Sequence, residues 1–99
     1  MGDVEDGQGE PVRVSYTLVW EMAARRALRR LYQIDEAGAV RMEAVVGALA
    51  ADPRPVGARR LGTSGWFRLY VDNYRATYHL DEETRTVLIV HVGSVSVSG

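Results

Sequence analysis

The chain has 99 residues, 46% of them hydrophobic and 25% charged, enough for one domain built on one core. It contains no cysteine, which excludes a disulfide framework, a thiolate metal site and a thiol nucleophile. No apolar run approaches about 18 residues and the start, MGDVEDGQGE, has no basic or hydrophobic leader, so a soluble cytoplasmic protein with no membrane contact is expected.

The formal net charge of −1 conceals an asymmetry. Asp3, Glu5, Asp6 and Glu10 crowd the first ten residues, which hold no arginine; beyond them twelve arginines face nine acids, and lysine is absent. Between Arg54 and Arg75 five arginines accompany one acid, Asp72. Arginine grips phosphate through a planar, multiply donating fork and stays charged at any relevant pH, so the balance points to nucleic acid as a partner. A solvated basic face is the plainer alternative.

Residues 1–11 read as a disordered acidic tail, and 12–99 as a single domain. Val12–Trp20 alternates Val12, Val14, Tyr16 and Leu18 with polar residues and predicts a half-buried strand. Glu21–Tyr32 switches to helical spacing, with Ala24, Ala27, Leu28 and Leu31 as the buried stripe. Arg25/Arg29 and Arg26/Arg30 stand four apart on its exposed flanks, where each like pair costs about 0.2–0.5 kcal/mol in an isolated helix. Asp35 is the expected N-cap of a second helix reaching about Ala51, with Met42, Val45, Val46 and Leu49 on its apolar side; Asp52-Pro53 ends it. Arg54–Gly65 reads as a loop, and its glycines match neither a P-loop nor a dinucleotide fingerprint, so no cofactor is expected.

Three strand-like runs follow: WFRLYV, then YRATYHL after Asp72-Asn73, then TVLIVHV after the polar turn from Asp81 to Arg85. Pairing the first two across Asp72-Asn73 sets Val71 opposite Tyr74, Tyr70 opposite Arg75 and Arg68 opposite Thr77. Alternation then puts Phe67, Leu69, Val71, Tyr74, Ala76, Tyr78 and Leu80 on a core face. Arg68, Tyr70, Arg75, Thr77 and His79 look the other way, and His91 on the third strand falls near Arg75. The order β-α-α-β-β-β predicts an α+β fold, with two helices on one face of a small, mainly antiparallel sheet and the other face free.

The segments YTLVW, ARRALRRL, AVVGALAADPRPVGARRLG, SGWFRLYVDNYRATYHLDEE and VLIVHVG together resemble the RelE/ParE superfamily of toxins from type II toxin–antitoxin systems, over about Tyr16 to Gly93. The likeness is closer to the RelE branch than to the gyrase-poisoning ParE branch. It implies a RelE-like fold, a cognate antitoxin that wraps and neutralises the toxin, and binding to operator DNA only as the toxin–antitoxin complex. For RelE-type members it further implies metal-free cleavage of messenger RNA on the ribosome. Arg75 matches the family's catalytic arginine in the "YR" segment, and Arg68 the cation supplied by the preceding strand. At the second cation position of that strand the chain has Tyr70. After Val92-Gly93 the family continues with an arginine and a tyrosine; here Val95 stands at the arginine's place and the tyrosine is missing.

Cleaving RNA through its own 2′-hydroxyl requires a base, charge stabilisation of the phosphorane and an acid for the leaving 5′-oxygen. Arg75 and Arg68 suit the middle role. For proton transfer the chain offers His91, His79, Tyr70 and Tyr78, of which Tyr78 falls on the core face and is set aside; an imidazole is well matched to neutral pH. The expected catalytic set is therefore Arg75, Arg68, His91 and Tyr70, with Arg54, Arg59, Arg60 and Trp66 holding RNA. The alternatives are a weakened homologue that binds its antitoxin and operator, and a ParE-like gyrase inhibitor.

Overall fold

The computed structural model describes residues 15–95. The acidic tail at 1–11 and the start of the expected first strand lie outside them. The elements are β1 (Thr17–Trp20), α1 (Met22–Ile34), α2 (Glu36–Gly47) with a 3₁₀ turn at Ala48–Ala50, β2 (Arg59–Leu61), β3 (Trp66–Val71), β4 (Tyr74–Asp81) and β5 (Thr86–Ser94). The sheet runs β1-β5-β4-β3-β2, antiparallel throughout except for the parallel pair β1–β5.

One expectation needs correction. The segment 54–65 is not loop throughout: Arg59, Arg60 and Leu61 pair antiparallel with Arg68, Phe67 and Trp66. Two of its glycines make the turn into β3, with Gly62 at φ 72° and Gly65 at φ 84°, conformations that side chains with a Cβ adopt only under strain. Three residues with no β-branched member carry too little pattern to announce a strand. Both sheet edges are short, four residues in β1 and three in β2, which limits unpaired backbone available to a foreign strand.

The core follows from periodicity. On α1, Ala24, Leu28 and Leu31 are buried; on α2, Ala39, Met42 and Val46, followed by Leu49 in the 3₁₀ turn. They meet Phe67, Leu69, Val71, Ala76, Tyr78, Leu80, Val87, Ile89 and Val92 from the sheet. Phe67 and Tyr78, directly opposite in register, stack with centroids 5.5 Å apart. The fully buried Tyr78 hydroxyl donates to the Pro53 carbonyl at 2.7 Å, tying the segment after α2 to the sheet.

Two polar clamps fix α2 against the β3–β4 hairpin. Asp35 caps the helix, accepting from the Gly38 amide at 3.0 Å, and its other oxygen accepts from the Tyr74 hydroxyl at 2.7 Å. The Tyr74 bond, then the Gly38 amide, holds the Asp35 carboxyl below its usual range, and the same contact raises the Tyr74 phenol. Close by, Arg41 of α2 pairs with Asp72 in the hairpin turn at 2.5 Å. Asp72 itself adopts φ 55°. The hairpin that carries Tyr70 and Arg75 is thus anchored from behind at its turn end.

Candidate functional site

The β3–β4 register is the one expected: Val71 faces Tyr74, Tyr70 faces Arg75 and Arg68 faces Thr77. Burial alternates accordingly along β3, with Phe67, Leu69 and Val71 buried beneath the helices and Trp66, Arg68 and Tyr70 on the open side. Residues directly opposite across a ladder share a face. The open face therefore resolves into rungs. One carries Arg59, Arg68, Thr77 and His91; the next, towards the hairpin turn, carries Tyr70, Arg75 and Gly93.

His91 reaches this face through a break in β5. Thr77 pairs with His91 while Tyr78 pairs with Ile89, so Val90 is an extra residue at a β-bulge. Regular alternation from the buried Val87 and Ile89 would send the imidazole into the core and expose Val92. The bulge reverses the parity: His91 is exposed and Val92 is buried.

The imidazole then lies over Gly93. A Cβ placed on Gly93 would sit 2.8 Å from His91 Cε1 and 3.4 Å from its Nε2, so only glycine leaves room for the ring there. Since Gly93 is the register partner of Arg75, the imidazole lies over the rung that carries that arginine. Glycine at 93 is a site feature that strand alternation alone gives no reason to notice.

Two arginines of these rungs leave donors unpaired among the described residues. Arg68 and Arg75 are half-buried, and the Nε atoms of both are closed to solvent without a hydrogen-bond partner among the described residues. A buried donor left unpaired costs about 1–3 kcal/mol, a deficit that an incoming oxyanion would relieve. Arg59 stands directly opposite Arg68, a like-charge arrangement that destabilises a ladder. Among the described residues the salt-bridged arginines are Arg41 and Arg54, neither of them on these two rungs.

The residues expected to hold RNA do not form one surface. Arg59 and Trp66 share the open face with Arg68. Arg60 pairs with Phe67 and so points to the helix side of the edge strand. Arg54 is bound to Glu82 in the β4–β5 turn, seven residues beyond Arg75 and hence about 23 Å along the strand. His79 is occupied structurally: its Nε2 lies 2.9 Å from the Ser64 carbonyl, and its ring meets Trp66 edge-on at 4.8 Å. Val95, at the position where an arginine was expected, is held beside the hairpin by its amide, which donates to the Asn73 carbonyl at 2.7 Å.

This architecture has known counterparts. Residues 18–97 match the model of the family described as the ParE toxin of the type II toxin–antitoxin system parDE. A chain of the RelBE2 toxin–antitoxin complex from Mycobacterium tuberculosis is 31% identical with a TM-score of 0.64, over 82% of this chain and 99% of that one. A chain of the RelE–RelB complex from Pyrococcus horikoshii superposes with TM-score 0.75 at 18% identity, over 85% and 99%. The YoeB/ParE toxin from Agrobacterium tumefaciens does so with TM-score 0.67 at 12% identity, over 79% and 96%. A search of curated protein sequences finds no significant match. The family match over most of the chain, joined to the two-helix, five-stranded fold, makes this protein a member of the ParE toxin family, within the RelE/ParE superfamily of toxin–antitoxin toxins.

Proposed function

We propose that the toxin acts as a metal-independent endoribonuclease on messenger RNA engaged with the ribosome, in the cytoplasm, and that a cognate antitoxin neutralises it. The observation that carries this reading is the placement of the His91 imidazole over Gly93, the register partner of Arg75, beside two arginines whose Nε groups have no hydrogen-bond partner among the described residues. Its antitoxin partner is inferred from the RelB-bound relatives.

In the proposed reaction His91 removes the proton of the 2′-hydroxyl, and the oxygen attacks the adjacent phosphorus. Arg75 and Arg68 neutralise charge as the pentavalent phosphorane forms, and fixed cations aimed at developing charge are often the largest catalytic contribution. Tyr70, exposed and directly opposite Arg75, supplies the proton to the departing 5′-oxygen. His91 thereby takes the part that the family resemblance gives to a tyrosine.

The test is induced expression followed by primer extension on a reporter mRNA. Arg75→Ala is expected to lower cleavage by about 10²–10³-fold, and His91→Ala by about 10²–10⁴-fold. Gly93→Ala provides the sharper check, because it keeps every proposed catalytic group and displaces only the imidazole. Wild-type cleavage in Gly93→Ala and His91→Ala would remove His91 from the mechanism. The family match itself favours a second reading, gyrase inhibition, since its description is that of ParE. Inhibited supercoiling by purified gyrase, unaffected by His91→Ala, would select that reading.

A further inference from the structure

One rung further from the hairpin than Arg68, the open face changes character. Val19, Leu88, His79, Trp66 and Leu61 follow one another in register across all five strands. Val19 is 41% exposed and Trp66 36%, on a face that the helices do not cover. The aromatic pair at the centre is held rigidly. A carbonyl can only accept, so His79 Nε2 carries the proton that goes to Ser64, and this fixes the imidazole edge-on to the Trp66 indole. The turn above is seated equally closely. The Gly65 carbonyl accepts from the Leu80 amide at 2.8 Å, and a Cβ on Gly65 would lie 2.8 Å from the Leu80 carbonyl and 3.2 Å from His79 Nε2.

We propose that this rung is a stacking platform for an unpaired base of the bound polynucleotide, Trp66 being the stacking surface and His79 its brace. The occupant follows from the neighbouring rung. Arg59 and Arg68 lie two residues along their strands from Leu61 and Trp66, about 6.7 Å away, so a phosphate held by the arginines presents the attached base to the indole. An apolar protein side chain would satisfy the platform and leave those cations without counter-charge; a single-stranded nucleotide satisfies both. The platform also refines specificity: a base buried in a duplex cannot reach it, and purines, with the larger π-face, bind it better than pyrimidines.

This inference rests on the reading of the arginine rungs as a phosphate site, and the experiment separates the two. The chain has two tryptophans, so Trp20→Phe leaves Trp66 as the only fluorescent indole. In that background, oligoadenylate, oligouridylate, an RNA duplex and inorganic polyphosphate are titrated while emission and affinity are recorded. Expected are quenching by oligoadenylate, weaker quenching by oligouridylate, and none by duplex or polyphosphate. Trp66→Leu, which keeps the position apolar, should lower oligoadenylate affinity between about fivefold and a hundredfold and leave polyphosphate affinity unchanged. Equal binding of oligoadenylate by Trp66→Leu and its parent, or equal quenching by polyphosphate, overturns the platform while the phosphate site stands. Failure of every polyanion to bind overturns both.

Discussion

Neutralising Arg59 should stabilise the fold and, on the proposed ribonuclease reading, weaken RNA binding in the same stroke. Arg59 is exposed on the edge strand, directly opposite Arg68, with no carboxylate beside either in the described structure. Two unit charges about 6 Å apart repel by about 0.7 kcal/mol in water. Screening at a Debye length of about 10 Å reduces this to about 0.4 kcal/mol in 0.1 M salt, and at about 3 Å to about 0.1 kcal/mol in 1 M salt. Arg59→Gln keeps most of the side-chain length and removes the charge, so it should raise stability by about 0.4 kcal/mol, or about 2–3 °C in Tm, at the lower salt. That gain should all but vanish at the higher salt. In oligonucleotide titrations, losing one phosphate contact should reduce the slope of log affinity against log salt by about 0.7. Arg60→Gln is the matched control: adjacent in sequence, it lies on the other face and should change neither quantity in this way. Arg59→Gln less stable than wild type at low salt, or with an unaltered salt slope, would mean that Arg59 and Arg68 neither repel nor share a phosphate.

Other expectations come from the scaffold. Gly47→Ala should stabilise by about 0.5–1 kcal/mol, because the backbone there is helical and a Cβ would meet nothing within 4 Å. Gly38→Ala makes the same change one cap away, where the Cβ would be 2.5 Å from Asp35 Oδ2 and 2.8 Å from the Tyr74 ring; urea melts should show a loss, since displacing the capping side chain costs about 0.5–2 kcal/mol and the Tyr74 bond goes with it. Burial pushes the Tyr78 phenol up to about 12 from its ordinary 10.0. Its neutral form is favoured by folding, so the stability this contributes is complete below pH 10 and disappears as pH rises through about 12. Tyr78→Phe should abolish that alkaline loss and destabilise by about 1–3 kcal/mol at neutral pH, because the Pro53 carbonyl loses its donor. Finally, Val95 lies just past the register partner of Tyr74, on the parity of Gly93 and His91, so Val95→Arg places a guanidinium beside Arg75. Primer extension should then show cleavage increased by up to about 10²–10³-fold; an unchanged rate would mean that position 95 does not address the phosphorane.

Much of this arrangement was legible in the residues because two-residue hairpins and strict alternation leave little freedom. Asp72-Asn73 set the β3–β4 register, and with it the common side of Arg68, Tyr70 and Arg75. Asp35 as N-cap and the spacing of Met42 and Val46 announced the second helix and its buried side, though the α-helix expected to reach about Ala51 stops at Gly47 and continues as a 3₁₀ turn over Ala48–Ala50. What escaped detection lacks a local signature. The β2 strand exists because Gly62 and Gly65 return the chain against β3, a tertiary pairing that Arg-Arg-Leu does not advertise. The bulge at Val90 is invisible in a run of hydrophobic residues, although it decides the side of the sheet to which His91 belongs. Arg54 and Arg60 were grouped with Arg59 by nearness in sequence, whereas Glu82 claims the first and strand parity turns the second away.

The parallel pairing of β1 with β5 has a consequence in time. Thr17 must find Thr86 across nearly the whole domain, and β5 is also the strand against which β4 is zipped. Closing so long a loop is entropically costly, so this ladder forms after the local hairpins β2–β3, β3–β4 and β4–β5. A nascent chain still lacking β5 has the helices and the β3–β4 hairpin but neither the imidazole nor a seat for the first strand. A ribosome synthesising this protein therefore carries a chain without His91 and without a seat for β1 until β5 has emerged.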